Sequence, residues 1–277
     1  MSAMIFDLPG PRGRRTIRVV TVVSLLAIAL ALYLAYRQFA INGQWEAGRW
    51  QILGQWPIQR YILRALGRTL AAAGMAAAIA VPLGVVLALG RLRRFLPVRW
   101  LSVAVIEFFR AVPLLLIIYI FFFALPKYQI NPSLFWKLVI PIGLCEGAVM
   151  AEVFRAGILA LPSGQGEAAS SLGLSDWQSF LHVIFPQAVR MVVPSLIAQI
   201  VILLKDTSLG YAVSYSELQT SAQLLTNISP QSLVQVYLVV ALIYVAINVA
   251  ISAGARGLDK RWANRAMSRD ASLQNIA

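Results

Sequence analysis

In a chain whose 277 residues are 59% hydrophobic and 13% charged, a few ionisable side chains stand inside apolar runs, where an unpaired charge is expensive. Glu107 and Arg110 in EFFRAVPLL (107–115), and Glu152 and Arg155 in AEVFRAGI (151–158), are each spaced i, i+3, which on a helix puts opposite charges on one face. Paired locally, or between Arg110 and Glu152 across two helices, they form a charge network suited to holding an inner gate. Glu146, in LVIPIGLCEGAVM, has no basic residue assigned to its depth. A lone carboxylate there suits the α-ammonium of an amino acid, or else serves a helix interface. Gln199 and Asn248, on two later apolar runs, either line the same cavity or join helices. Lys205 and Asp206, with Thr207 and Ser208 behind them, end another run and read as a headgroup-level pair or as a polar turn at an outer mouth.

Other chemistries lack their residues. Cys145 is the only cysteine and His182 the only histidine, so no disulfide framework and no metal site is expected, and His182 is assigned to packing or an interface. SGQGE (163–167) resembles the signature of an ATP-binding cassette. Hydrolysis needs a phosphate loop of the form G-x-x-x-x-G-K-[ST], and none occurs in the chain. No nucleotide or other cofactor is therefore expected to bind here, and the chain is not expected to be an enzyme.

The elements that must carry these residues are membrane helices. Several runs reach the roughly 20 apolar residues needed to cross a bilayer, and six spans are predicted at about 19–36, 69–90, 101–125, 138–160, 187–204 and 233–253, giving an all-α polytopic bundle. The formal charge of +13 does not indicate nucleic acid, because Lys and Arg gather beside the spans, where they set topology and bind headgroups. Arg12, Arg14, Arg15 and Arg18, then Arg91, Arg93, Arg94 and Arg99, then Arg256, Lys260, Arg261, Arg265 and Arg269 mark three segments as cytoplasmic, with both termini inside. The segment 37–68 also carries arginines yet must be external; Arg60, Arg64 and Arg68 have helical spacing and are placed along the membrane surface. Ala29-Leu30-Ala31 lies inside the first apolar run instead of after it, so that span is read as an uncleaved anchor.

Residues 161–186, LPSGQGEAASSLGLSDWQSFLHVIFP, break the apolar pattern. A short helix through Glu167 is expected to end at Gly173 in a left-handed conformation, and Ser175 with Gln178 forms the capping box of a second. Trp177, Phe180, Leu181 and Ile184 give that second helix an apolar face that must be buried. Pro186 suits the first turn of the next span. Such a helix pair on the cytoplasmic side is a surface for docking another protein.

These residues resemble the EAA loop of importer permeases of the ABC superfamily. The matching positions are Gly164, Glu167, Ala168, Ala169, Gly173, Ile184 and Pro186; Phe185 stands where Leu is usual. GRTL (67–70), EFFRAVPLL, AEVFRAGI and KDTSL (205–209) are similar to the polar amino-acid branch, the histidine, glutamine and glutamate importers, most of all the second permease of glutamate uptake systems. Ala111, Val112 and Val149 depart from that pattern. The resemblance covers about 66–255. It implies a five-helix type I permease core there, with 1–65 holding an added amino-terminal helix and external connection and 256–277 forming a cytoplasmic tail. It further implies a second permease, homo- or heterodimeric, two cytoplasmic ATPase subunits that bind the ATP and magnesium, an extracytoplasmic solute-binding protein, and a bacterial cell membrane. The amino-acid cargo is expected to be glutamate. An ion-driven secondary carrier is the rival reading; it has no use for an EAA-type loop and would normally show a repeated half, which is not found.

Overall fold

Residues 10–274 are described by a computed structural model, and among them all regular structure is helical. Residues 1–9 of the amino-terminal segment and 275–277 of the tail lie outside the described residues, together with the side chains of Arg256, Lys260, Arg261, Arg265 and Arg269. The chain divides into two compact units, 1–55 and 56–277.

The first unit holds α1 (Pro11–Ile41) and α2 (Ala47–Gly54). α1 begins on a proline, whose missing N–H is harmless at a helix start. Its 31 residues reach about 46 Å at 1.5 Å per residue, enough to cross a bilayer. Tyr36 and Phe39 near its end lie 5.8 and 6.0 Å from Trp45, which stacks on Trp50 at 6.5 Å. Aromatic clusters of this kind favour the membrane–water boundary.

The second unit contains α3 (Trp56–Leu92), α4 (Leu96–Ala111), α5 (Leu114–Tyr119), α6 (Leu134–Leu159), α7 (Gly164–Ser171), α8 (Asp176–Ser179), α9 (Phe185–Asp206), α10 (Leu218–Ile228) and α11 (Leu233–Gln274). Its centre is the seam between α3 and α6. Ala72, Ala76, Ala80, Gly84 and Ala88 recur every four residues on α3 and are all buried. A Cβ on Gly84 would lie 2.9 Å from Met150 Cβ and 3.2 Å from the Ala151 nitrogen, and one on Gly147 would meet Leu83 at 2.8 Å. Water expulsion does not drive helices together inside lipid, so this close backbone approach supplies the contact energy through dispersion.

Four predicted boundaries change. The third span is not one helix: α4 and the run from Leu114 to Tyr128 meet at 99°. Pro113 has no N–H for the ladder and pushes Val112 out of the helical region, to φ −85° and ψ 129°. α3 begins at Trp56, so Arg60, Arg64 and Arg68 belong to one continuous helix of 37 residues with the second span. The second loop helix is not separate from the fifth span either, because α8 passes through a π turn (Phe180–Ile184) directly into α9. Pro186 does fall in the first turn of α9, and its missing N–H weakens the ladder where the π turn sits. α11 continues to Gln274, well past the apolar stretch Pro230–Gly254.

Candidate functional site

The break between α4 and α5 opens a hollow of about 560 Å³. Arg110 at the end of α4, Pro113 in the break, Cys145 and Glu146 on α6, Asp206 at the end of α9 and Leu209 line it. Counted from Leu96, the true start of α4, Arg110 lies about 21 Å along its helix, and Glu146 lies about 20 Å from Leu159 at the end of α6. The expectation that Glu146 has no basic residue at its depth is therefore corrected: the predicted span began five residues late, and Pro97 marks the actual first turn. Gln199 Nε2 donates to Glu146 Oε2, which joins two of the predicted residues. The Asp206 carboxyl interacts with that of Glu146. No ion pair among the described residues links Arg110 to either carboxylate; the hollow keeps opposite charges apart.

Beside the hollow is a clamp of paired charges. Arg91 binds Glu152 and also Glu107, at 3.3 Å, and Arg155 binds Glu152 at 3.0 Å. Arg110 reaches Glu107 only at 3.6 Å, beyond hydrogen-bond length. The predicted direct Arg110–Glu152 pair does not form, because Arg91, at the end of α3, comes between the two helices. Arg91 was legible in the sequence only as a topology signal. The pattern that betrays it is its place one residue before the end of a span, beside two acid-bearing helices.

Asn248 does not share the hollow with Glu146. It lines a separate one of about 380 Å³ between α9 and α11, with Lys205, Ser208, Tyr237 and Tyr244, and its Oδ1 is buried without a partner. Lys205 and Asp206 do not pair with each other: successive residues on a helix point about 100° apart, and these two face different hollows. Thr207 opens a tight turn over Thr207–Val213 and its hydroxyl donates to the Leu204 carbonyl at 2.7 Å.

GRTL holds the segment that follows. Arg68 Nη1 donates to the Ser216 carbonyl at 3.3 Å, and the Leu218 N–H donates to Thr69 Oγ1 at 3.1 Å. Glu217 caps α10 by accepting from the backbone of Gln219 and Thr220, and also from the Tyr244 hydroxyl. Burial pushes its carboxyl above the usual carboxylate range, while those donors pull it back.

At the end of the unit that carries α7 and α8, the expected local geometry is present. Gly173 has φ +82°, a left-handed value that glycine adopts without penalty, and Ser175 and Gln178 form a complete capping box. Gly166 lies against Ile184, and Gln187 donates to Gln165 at 3.2 Å, tying α7 to α9. Glu167 and Ala168 are exposed, and Ala169 is buried. The apolar face expected to be buried is only partly covered by this chain. Phe180 packs on Trp177 and Phe185, while Trp177 and Leu181 remain 52% and 43% exposed. Arg93 sits over the Trp177 ring at 5.7 Å, a cation–π contact that fixes α8 to the end of α3. His182 Nδ1 lies 3.0 Å from the Gln178 carbonyl, a local contact.

Residues 80–264 match the model of the binding-protein-dependent transport system inner membrane component, and the chain belongs to that family. It is similar to the glutamate transport system permease protein GluD of Corynebacterium glutamicum, 35% identical over 79% of this chain and 82% of that one. It is also similar to the probable glutamine ABC transporter permease protein GlnM of Bacillus subtilis, 37% identical over 70% of this chain and 89% of that one. Among solved structures it resembles a chain from an amino acid ABC transporter crystallised with histidines, at 26% identity and a TM-score of 0.70, over 76% of this chain and 98% of that one. The chain is thus a multi-pass inner-membrane permease of the amino-acid ABC transporter type. The ion-driven carrier reading finds no support.

Proposed function

We propose that this permease forms part of the pathway through which an ATP-driven importer takes up a polar amino acid, glutamate first, and that the hollow at the α4–α5 break is where the amino acid passes. One observation carries the reading: a guanidinium and two carboxyl groups line one hollow, and among the described residues no ion pair joins the guanidinium to either of them. Charges left in this state inside a membrane mark a substrate path more often than a structural contact. The Glu146–Asp206 side suits the α-ammonium. Glutamate is favoured over glutamine by the resemblance in sequence and by the name of the GluD relative.

The remaining parts of the machine follow from the same reading. The exposed Trp177–Leu181 face and the Glu167 helix seat a separate ATPase subunit, which holds the ATP and magnesium, and the tie of α7 and α8 to α9 passes its movement to the span that carries Asp206. A second permease completes the pathway and a solute-binding protein delivers the cargo. The arginines before α1, between α3 and α4 and after the last span support a cytoplasmic location for the α7–α8 end and both termini.

Cys145 allows a test without engineering a probe, because it is the only cysteine of the chain and lines the hollow. Converting its thiol to a mixed disulfide with a small methanethiosulfonate, which releases methanesulfinate, should block glutamate or glutamine uptake by proteoliposomes holding the whole transporter, and Cys145→Ser should restore uptake in the presence of the reagent. Full uptake with Cys145 shown by mass spectrometry to be modified would refute the pathway.

A further inference from the structure

We infer that Arg110 is the carboxylate-reading residue of this pathway, the group that holds the α-carboxylate of the amino acid while Glu146 and Asp206 face its ammonium. The inference rests on the hollow being the substrate path and adds the determinant that path would use.

Arg110 differs from the other two arginines of the neighbouring network. Arg91 and Arg155 make hydrogen bonds at normal or shorter lengths to Glu107 and Glu152. Arg110 has a single 3.6 Å ion contact with Glu107, too long for a hydrogen bond. Its side chain is 42% exposed, and it lines the hollow at the same depth as Glu146. A guanidinium offers a planar fork of donors that fits a carboxylate with two parallel bonds, and here that fork is committed to nothing stronger than a long contact.

Its position explains why it stays available. Glu107 already has Arg91 at 3.3 Å, so losing Arg110 would not leave Glu107 unpaired. Glu146 accepts a hydrogen bond from Gln199, which competes with any contact to Arg110. The cation and the carboxylate pair therefore stand as two separate poles of one hollow, the charge pattern of a zwitterion reversed. A molecule with both a free ammonium and a free carboxylate satisfies both poles; an amide or an amine satisfies one.

The test uses the complete transporter in proteoliposomes and follows formation of the mixed disulfide between Cys145 and 2-aminoethyl methanethiosulfonate, read by mass spectrometry on the unreduced Cys145 peptide. L-glutamate, L-glutamine, L-histidine and L-arginine are each compared with their α-carboxamides. In the unmodified protein at least one free acid should slow labelling, and its α-carboxamide should need about tenfold or more higher concentration to do the same, the size of one charge-assisted bond. Arg110→Gln should abolish that difference, and Arg110→Lys should keep part of it. Glu107→Gln, which removes Arg110's only ion contact among the described residues, should preserve the preference for the acid. Equal protection by acid and amide in the unmodified protein, or an undiminished acid preference in Arg110→Gln, would overturn the inference while leaving the pathway intact. Loss of the preference in Glu107→Gln would also overturn it, since Arg110 would then act only as Glu107's partner. No protection by any of the four acids would remove the pathway reading and this inference together.

Discussion

The clamp and the hollow are both built from arginines and carboxylic acids, yet they are opposite kinds of place. In the clamp, Arg91, Glu107, Glu152 and Arg155 each have an opposite charge at 3.3 Å or closer. In the hollow, Arg110, Glu146 and Asp206 are left without an ion pair to one another. The difference comes from backbone geometry. The clamp sits where α3, α4 and α6 lie close, and the hollow sits where Pro113 turns the chain away and leaves about 560 Å³ unfilled. Charge inside a membrane is structural when its neighbours close on it, and available for a ligand when a break keeps them away.

The closeness of the clamp depends on the small-residue seam, so the largest effect is expected there. Gly84→Leu drives a side chain into Met150 and the Ala151 backbone, and overpacking at a backbone contact has no cheap relief. The protein should fail to accumulate in the membrane, seen as loss of the band in quantified membrane fractions. Normal accumulation and uptake would mean that the seam is looser than its distances.

Glu152→Ala sharpens the contrast next. It leaves Arg155 without its carboxylate and Arg91 with only Glu107. Removing one member of a part-buried network costs about 1–3 kcal/mol when its partners remain charged. The detergent-solubilised transporter should melt several degrees lower while the amino-acid preference of the residual activity is unchanged. An unchanged melting point would show the clamp to be redundant.

A smaller effect is expected at the α7–α8 end. Gly173→Val places a β-branched residue at φ +82°, a strain of about 1–2 kcal/mol. Space is not the obstacle, since nothing lies within 4 Å of a Cβ there. Membrane insertion should survive, and co-purification of the ATPase subunit should fall. Retention of the ATPase at the unmodified level would separate the turn from docking.

The sequence exposed the α7–α8 end more fully than the hollow, for a physical reason. Capping boxes and left-handed glycines are local devices, so Ser175, Gln178 and Gly173 announce themselves within a few residues. The hollow depends on where helices begin and break. Pro113 inside an apolar run is compatible with an intact span, since membrane helices tolerate proline, and nothing local says that the chain turns by 99° there. An α4 start at Leu96 instead of 101 moves Arg110 by about 7 Å and converts it from a gate charge into a wall of the hollow. Arg91 was hidden in the same way, because a basic residue at a span end satisfies the topology rule whether or not it also binds two acids. The π turn before α9 was hidden because Pro186 explains a helix start equally well with or without a break.

The comparison between clamp and hollow turns on Glu146, and one measurement tests it most directly: uptake of radiolabelled glutamate and glutamine by proteoliposomes carrying Glu146→Gln, with ATPase activity and melting point recorded on the same preparation. The amide keeps the shape and a hydrogen bond to Gln199 and removes only the charge. Losing a charge-assisted contact to an ammonium lowers transport by about tenfold or more. Basal ATPase activity and melting point should stay within error of the unmodified protein, because a neutral amide is easier to bury than a carboxylate. Unchanged uptake of the transported amino acid, or a melting point lowered as far as in Glu152→Ala, would show that Glu146 belongs to the helix scaffold and that the amino acid takes another route.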